Sequence, residues 1–165
     1  MKNYVHNGKV FIFAAVMAVA GSFASAQSGS PNGALNVVKP AIADRDLVIQ
    51  IAEVTENAVF YPVDIGGTRL EVLVVKAPDG TIRTAFNTCQ VCYGSGRGFY
   101  KQQGTVLVCQ NCGNRFRMSQ VETRSGGCNP VPIFPVNKTM TSTAITISKE
   151  FLNEAKRIFA RWRRG

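Results

Sequence analysis

Short apolar runs separated by turn residues fill the middle of the chain, and this pattern predicts strands. The runs cover residues 47–54, 58–65, 69–77 and 81–86. Gly66-Gly67 and Pro78-Asp79-Gly80 separate the last three runs, and such turns between β-branched stretches are typical of antiparallel hairpins. Side chains alternate between apolar and mixed within the third run, so we expect its strand to have one apolar face and one mixed face. The apolar positions there are Leu70, Val72 and Val74.

The second half of the chain adds two more predicted strands and then a predicted helix. Residues 105–109 and 142–148 continue the strand pattern, whereas apolar residues recur at helical spacing from 149 to 163. The basic residues of this last segment are crowded on the other face and at its end, so it is either a closing helix packed on the sheet or a helix that contacts a membrane surface or a partner. The fold class predicted is therefore mostly β, a small antiparallel sheet or sandwich with a C-terminal amphipathic α-helix.

The first residues have the three features of a secretory signal peptide. Lys2 and Lys9 give a positive start, residues 10–20 are apolar, and Ala24-Ser25-Ala26 forms a small-x-small cleavage pattern. We therefore predict a cleaved signal peptide at 1–26, a flexible linker at 27–45 and a single domain at 46–165. The predicted location is the periplasm or the extracellular face of the cytoplasmic membrane.

The net charge of the chain indicates which chemical classes of partner it can bind. The formal net charge is +9, and it is +7 without the first 26 residues, which carry two lysines and no acid. A basic surface favours anionic partners, which include acidic proteins, lipid head groups and nucleic acid. Export makes nucleic acid an unsuitable partner, so acidic proteins and lipid head groups remain.

Four of the five cysteines form two C-x-x-C pairs, Cys89/Cys92 and Cys109/Cys112, with sixteen residues between the pairs. Each such turn aims two thiolates at one point, and two facing turns can close a four-sulfur cage around zinc, iron or an iron-sulfur cluster. The only histidine, His6, lies in the predicted signal peptide, so imidazole ligation is excluded. We predict that the four paired cysteines bind the metal.

The fifth cysteine has two interpretations. Cys128 follows Gly126-Gly127, and it is either a small buried apolar residue or a fifth sulfur beside the cage. The glycines permit close backbone approach, which keeps the second interpretation open. In the second pair, Gly113 suits a positive φ that turns backbone N–H groups toward the sulfurs, whereas Tyr93 follows the first pair and fits this pattern less well.

The cysteine region resembles a known family. The motifs D-G-T-I-R-T-A-F-N-T-C-Q-V-C-Y, G-F-Y, V-C-Q-N-C-G-N-R-F and G-G-C-N-P-V-P are similar to those of the membrane iron-sulfur containing proteins, FtrD-like, over roughly residues 55–155. This resemblance implies an iron or iron-sulfur centre that passes electrons next to a permease during ferrous-iron uptake at the bacterial cell envelope. The implied partner is an envelope redox protein or the iron permease itself.

A fainter similarity concerns the loops. Strand, C-x-x-C, return strand and C-x-x-C-G-N-R-F are similar to Rieske-type domains, in which C-x-H and C-x-x-H loops hold a two-iron cluster. Cys92 and Cys112 stand where those histidines would be, so the loops are Rieske-like or zinc-ribbon-like with all-cysteine ligation. All-sulfur ligation would lower the reduction potential relative to the histidine-ligated kind.

Several functions share these ligands. The first is a non-enzymatic electron carrier with iron or a small cluster, and the alternative is a binding module held together by structural zinc. Delivery of a soft metal such as Cu(I) and thiol-disulfide exchange are further options. The sequence has no catalytic triad, no carboxylates paired at helical spacing and no phosphate-binding glycine loop that opens a helix, so turnover of a small substrate is not expected.

Overall fold

The computed structural model describes residues 36–164, and strands dominate this part of the chain. The described residues contain twelve strands and one α-helix, together with five short 3-10 helices. In chain order the strands are β1 (Val37–Val38), β2 (Ile42–Ala43), β3 (Leu47–Gln50), β4 (Val59–Ile65), β5 (Thr68–Lys76), β6 (Ile82–Cys89), β7 (Tyr100–Gln103), β8 (Val106–Cys109), β9 (Arg115–Arg117), β10 (Pro130–Pro132), β11 (Thr139–Met140) and β12 (Ala144–Ile147). The helix is α1 (Lys149–Glu154).

The main sheet has the strand order β1-β4-β5-β6-β10, with β2 also paired to β4. Strands β4, β5 and β6 form an antiparallel meander, whose first turn is Gly66-Gly67 with both residues at positive φ. Strand β10 joins from far along the chain and pairs antiparallel with β6, so that Pro130 lies opposite Cys89. This pairing brings the segment after Cys128 to the end of the strand that carries the first cysteine.

Two three-stranded sheets accompany the main sheet. Strands β7, β8 and β9 form an antiparallel meander that contains the second C-x-x-C pair. Strands β11, β12 and β3 form the other, in which β3 pairs antiparallel with β12 from nearly one hundred residues later. The small sheets do not close into a barrel.

The main sheet is buried on both faces, because alternate residues of β5 belong to two separate hydrophobic clusters. Leu70, Val72 and Val74 pack in one cluster with residues of β3, β12 and the C-terminal segment. Leu73 and Val75 pack in the other cluster, which contains Cys89, Cys92 and Cys109. The face that the sequence predicted to be mixed is thus covered by the cysteine region, and even Glu71 on this face is only 2% exposed.

The C-terminal segment begins as an α-helix and continues as a narrower 3-10 helix. Ser148 caps α1 by accepting a hydrogen bond from the amide of Phe151, and the segment continues as a 3-10 helix over Ala155–Phe159. The regular α-helix is therefore shorter than the predicted 149–163. Its apolar side packs on the first hydrophobic cluster, where Phe86 and Phe159 meet edge to face with ring centroids 5.7 Å apart. The segment closes the domain, as one of the two interpretations of the pattern expected.

These features confirm the predicted fold class, which is mostly β with one short C-terminal helix and clustered cysteines. The predicted signal peptide and residues 27–35 of the predicted linker lie outside the described residues. Residues 36–45 of that linker include β1 and β2, which pair in parallel with β4. None of the described helices is both long and apolar enough to cross a bilayer.

Candidate metal centre

Each C-x-x-C pair begins at the last residue of a strand. Cys89 ends β6 and Cys109 ends β8, and the second cysteine of each pair lies in the turn that follows. The two turns are linked through residues 98–99, because the amide of Cys89 donates to the carbonyl of Gly98 and the amide of Gln110 donates to the carbonyl of Phe99. Strand pairing therefore fixes the two turns next to each other, as the sequence predicted.

Five sulfurs meet at this point. The sulfurs of Cys89, Cys92, Cys109 and Cys128 all lie within 4.8 Å of one another. Cys112 is next to them, with its Sγ 2.8 Å from that of Cys128. The structure thus brings together the four predicted cysteines and also Cys128, whose Sγ is 3.2 Å from that of Cys89. All five are free of disulfide bonds.

The five cysteines differ in how far they are buried. Cys89, Cys92 and Cys109 are buried, Cys128 is half-buried and Cys112 is exposed. The buried three pack against apolar side chains of the second cluster, among them Leu107 and Phe116. The centre is therefore closed on the side of the sheet and open to solvent at Cys112.

Backbone amides of both turns point at the sulfurs. The amide of Cys92 lies 3.4 Å from Sγ of Cys89, and the amides of Asn111 and Cys112 approach Cys109 in the same way. Gly113 has φ of +73°, and the amide of Asn114 that follows it points to the sulfur of Cys112. Hydrogen bonds of this kind stabilise thiolates and orient ligands. The interpretation of Gly113 matches this geometry, and the first turn supplies amides to Cys89 although Tyr93 replaces the glycine.

The surroundings of the five cysteine thiols shift their pKa values in different directions. Burial raises the pKa of Cys109 to about 12 and also raises the pKa of Cys92 and Cys128. The pKa of Cys112 is lowered to about 7 by hydrogen bonds with the Cys128 sulfur and the Asn114 amide. Burial acts to raise the pKa of Cys89, but the nearby Tyr100 hydroxyl and the hydrogen bonds with the Cys128 sulfur and the turn amides outweigh it and lower that pKa. Without a cation, therefore, these thiols do not all ionise together near neutral pH, because each buried thiolate opposes the next.

The loop that carries Cys128 is held by both cysteine turns. The buried hydroxyl of Tyr100 donates to the Cys128 carbonyl at 2.9 Å, and Asn114 Nδ2 donates to the same oxygen at 3.0 Å. Gln90 Oε1 accepts from the amide of Gly126 at 2.7 Å, and its backbone amide donates to the carbonyl of Asn129 at 3.0 Å. The sequence alone assigned no role to the hydroxyl of Tyr100, to Gln90 or to Asn114.

The donor set fits a thiophilic metal. Four thiolates around one ion with metal–sulfur bonds of about 2.3 Å have sulfurs about 3.8 Å apart in a tetrahedral arrangement. The mutual separations within 4.8 Å agree with this requirement. Iron, zinc and other thiophilic ions accept such a site, and residues 36–164 contain no histidine that could add an imidazole ligand.

Fold and site together define a small, mostly β protein whose cysteines converge on one metal-binding point. A family model for the membrane iron-sulfur containing proteins, FtrD-like, matches residues 54–159. The chain therefore belongs to this family, and the resemblance noted in the sequence is confirmed. No curated protein and no solved structure shows significant similarity to the chain.

Proposed function

We propose that this domain binds iron through its cysteine cluster and relays single electrons at the cell envelope in support of ferrous-iron uptake. The observation that carries the proposal is the convergence of cysteine sulfurs within 4.8 Å in a chain of an iron-sulfur family. A thiolate-bound iron centre supplies one-electron redox chemistry when it is present. The protein's own residues supply the thiolates, the amide hydrogen bonds that tune them, and the apolar wall that excludes water from one side.

The open side of the centre suits electron exchange. Cys112 is exposed, so a redox partner can approach the centre at that point without any rearrangement of the domain. No catalytic side chain is required for a relay, and the proposal therefore treats the protein as an electron carrier rather than an enzyme.

Metal content tests this function. Protein purified anaerobically should carry iron, show thiolate-to-iron absorption in the visible range, and give an EPR signal in one oxidation state. The variant Cys109→Ser, which removes a buried ligand, should lose iron, whereas Ser125→Ala in the exposed loop should retain it. A colourless wild-type protein with stoichiometric zinc would overturn the electron-relay function.

Structural zinc is the second candidate, because the compact sulfur arrangement suits a single Zn²⁺ ion equally well. A zinc-loaded domain would act as a binding module, and the cysteine variants would then lower stability without affecting any electron transfer. The same metal analysis separates the two functions.

For the partner, we propose an acidic redox protein. Arg157 and Arg161 line a groove of about 210 Å³ together with Tyr93, which directly follows Cys92. We call this the arginine groove. Residues 89–129 carry five basic residues and a single acid, Glu122, whose charge is already paired with Lys138. A positive surface beside the centre attracts an acidic protein and orients it for electron transfer.

The C-terminal segment favours a protein over a bilayer as the partner. Its apolar residues Phe151, Ile158 and Trp162 are partly buried against the first hydrophobic cluster, so much of its apolar side is already covered and cannot insert among lipids. Electrostatic attraction to anionic lipid remains as the competing outcome.

An acidic flavodoxin and vesicles of phosphatidylglycerol can serve as probes. We expect the second-order rate of electron transfer to flavodoxin to fall steeply with ionic strength, and to fall at low salt in Arg157→Glu/Arg161→Glu. Lys76→Glu, an exposed change at the end of β5, is the matched control and should have little effect. Sedimentation of the protein with the vesicles, together with a salt-independent rate, would overturn the acidic-protein partner.

A further inference from the structure

The fifth cysteine offers the strongest further inference, which rests on the proposed function. We propose that Cys128, rather than Cys112, completes a site for one metal ion with Cys89, Cys92 and Cys109, and that Cys112 is an outer thiol beside it. The family description implies iron and sulfur but assigns no ligand, and the two C-x-x-C pairs by themselves suggest the other set of four.

The first support is distance. The set that contains Cys128 is the one whose sulfurs all lie within 4.8 Å of one another among the described residues. Cys112 lies at the rim, exposed to solvent, with its sulfur 2.8 Å from that of Cys128. This separation departs further from the roughly 3.8 Å edge of a metal-centred tetrahedron than the 3.2 Å between the sulfurs of Cys89 and Cys128 does. Because Cys112 is also outside the mutually close set, we place it beyond the coordination sphere.

The second support is the way in which Cys128 is held. A residue that only filled space would not require two hydrogen bonds to its carbonyl oxygen, yet Tyr100 of β7 and Asn114, which follows the second cysteine turn, both donate to it. Gly126 and Gly127, at φ of +88° and +70°, form a turn that disfavours other residues, and Gln90 fixes its start. These contacts fix the Cys128 loop against the elements that carry the other cysteines, so that its sulfur lies over the centre, as expected of a ligand.

The third support concerns the number of metal ions. In a cluster of two or more irons, the cysteines on different irons are separated by the irons and the sulfides between them. Sulfurs within 4.8 Å of one another leave room for one ion but not for such a cluster. The structure therefore fits a single tetrathiolate-bound ion, which is compatible with one-electron transfer by iron.

Two experiments test the ligand set. In the first, metal-loaded wild-type protein is alkylated with iodoacetamide under native conditions and the modified residue is identified by mass spectrometry. We expect Cys112 alone to be labelled, with one metal ion retained. Labelling of Cys128 instead, or protection of both cysteines, would overturn the inference.

In the second experiment, Cys112→Ser and Cys128→Ser are compared as matched variants. We expect Cys112→Ser to retain one equivalent of metal per chain and the visible spectrum of the wild type, and Cys128→Ser to lose at least tenfold in metal affinity. The reverse result, or two or more irons with acid-labile sulfide, would overturn the inference. Stoichiometric zinc with this same pattern would uphold the ligand set and reject the electron relay, so the two failures are distinguishable.

Discussion

The backbone amide of Arg163 donates a hydrogen bond to the carbonyl of Gly96 across 2.7 Å, which ties the C-terminal segment to the first cysteine loop. Nearby, the indole Nε1 of Trp162 donates to the carbonyl of Asn87 at 3.0 Å, two residues before Cys89. The segment after α1 therefore supports the strand and the loop that position the first two cysteines.

Gly96→Ala should disrupt the contact between the C-terminal segment and the first cysteine loop. Gly96 has φ of +76°, and a Cβ there would lie 2.0 Å from the carbonyl oxygen of Arg161. We expect a loss of at least about 2 kcal/mol in unfolding free energy and a red shift in the emission of Trp162, the only tryptophan. Gly94→Ala, where a Cβ meets nothing within 4 Å, is the control and should stay within about 0.5 kcal/mol of the wild type. Equal effects of the two substitutions would contradict the close contact.

Arg164→Ala should destabilise the domain in a pH-dependent way. Arg164 forms an ion pair with the buried Glu71, which also accepts from Asn87 Nδ2 at 2.7 Å, and burial raises the pKa of Glu71. Removal of the guanidinium should raise that pKa further, and it should cost about 3 kcal/mol at a pH high enough for the carboxylate to be ionised. Protonation of Glu71 relieves this cost, so the difference from the wild type should shrink as the pH falls toward 5.

Arg163→Ala serves as the control for this experiment, because Arg163 is exposed and its backbone hydrogen bond survives the change. Urea denaturation of both variants at several pH values provides the measurement. A loss of stability in Arg164→Ala that does not vary with pH would show that the ion pair with Glu71 is not its cause.

Lys138→Met should weaken the segment that leads to Cys128. Lys138 Nζ lies 2.6 Å from Glu122 Oε2, with side chains only 3% and 11% exposed, and the same oxygen accepts from the Thr84 amide. The substitution leaves a buried carboxylate without its cation, so we expect a loss of about 3 kcal/mol. Glu122→Gln added to this variant should recover part of the loss. Strictly additive losses in the double variant would argue against a coupled pair.

Metal removal should loosen the cysteine loops while the main sheet stays folded. The hydrophobic cluster between the main sheet and the C-terminal segment contains no cysteine, whereas the other cluster contains three. After chelation we expect faster amide exchange in residues 89–98, 107–114 and 124–129 and unchanged protection in 59–76, measured by hydrogen–deuterium exchange. Restoring the metal should reverse the change, and exchange that spreads to 59–76 would mean that the whole domain depends on the ion.

The local pattern predicted the strands well. The four short apolar runs correspond to β3 to β6, and the Gly66-Gly67 turn lies where the pattern placed it. The convergence of the two C-x-x-C turns was also predictable, because each pair follows a strand and the turn chemistry is local.

Pairings between distant residues were not predictable. Strand β10 reads Pro-Val-Pro, and proline normally argues against a strand because it cannot donate to the ladder. Its pairing with β6 at the edge of the main sheet nevertheless positions Cys128 beside Cys89. The burial of Glu71 was not predictable either, because the arginine that forms its ion pair, Arg164, is ninety-three residues away in the chain.

The composition of the arginine groove determines how its charge, and therefore complex formation, responds to pH. The cations that line the groove are arginines, and residues 36–164 contain no histidine, so the positive charge of the groove does not depend on an imidazole. Acid sensitivity of complex formation between about pH 5 and 8 would therefore originate in the partner's titrating groups or in the exposed Cys112 thiol, whose pKa is about 7. The ionic strength of the medium, by contrast, acts directly on the charge of the groove.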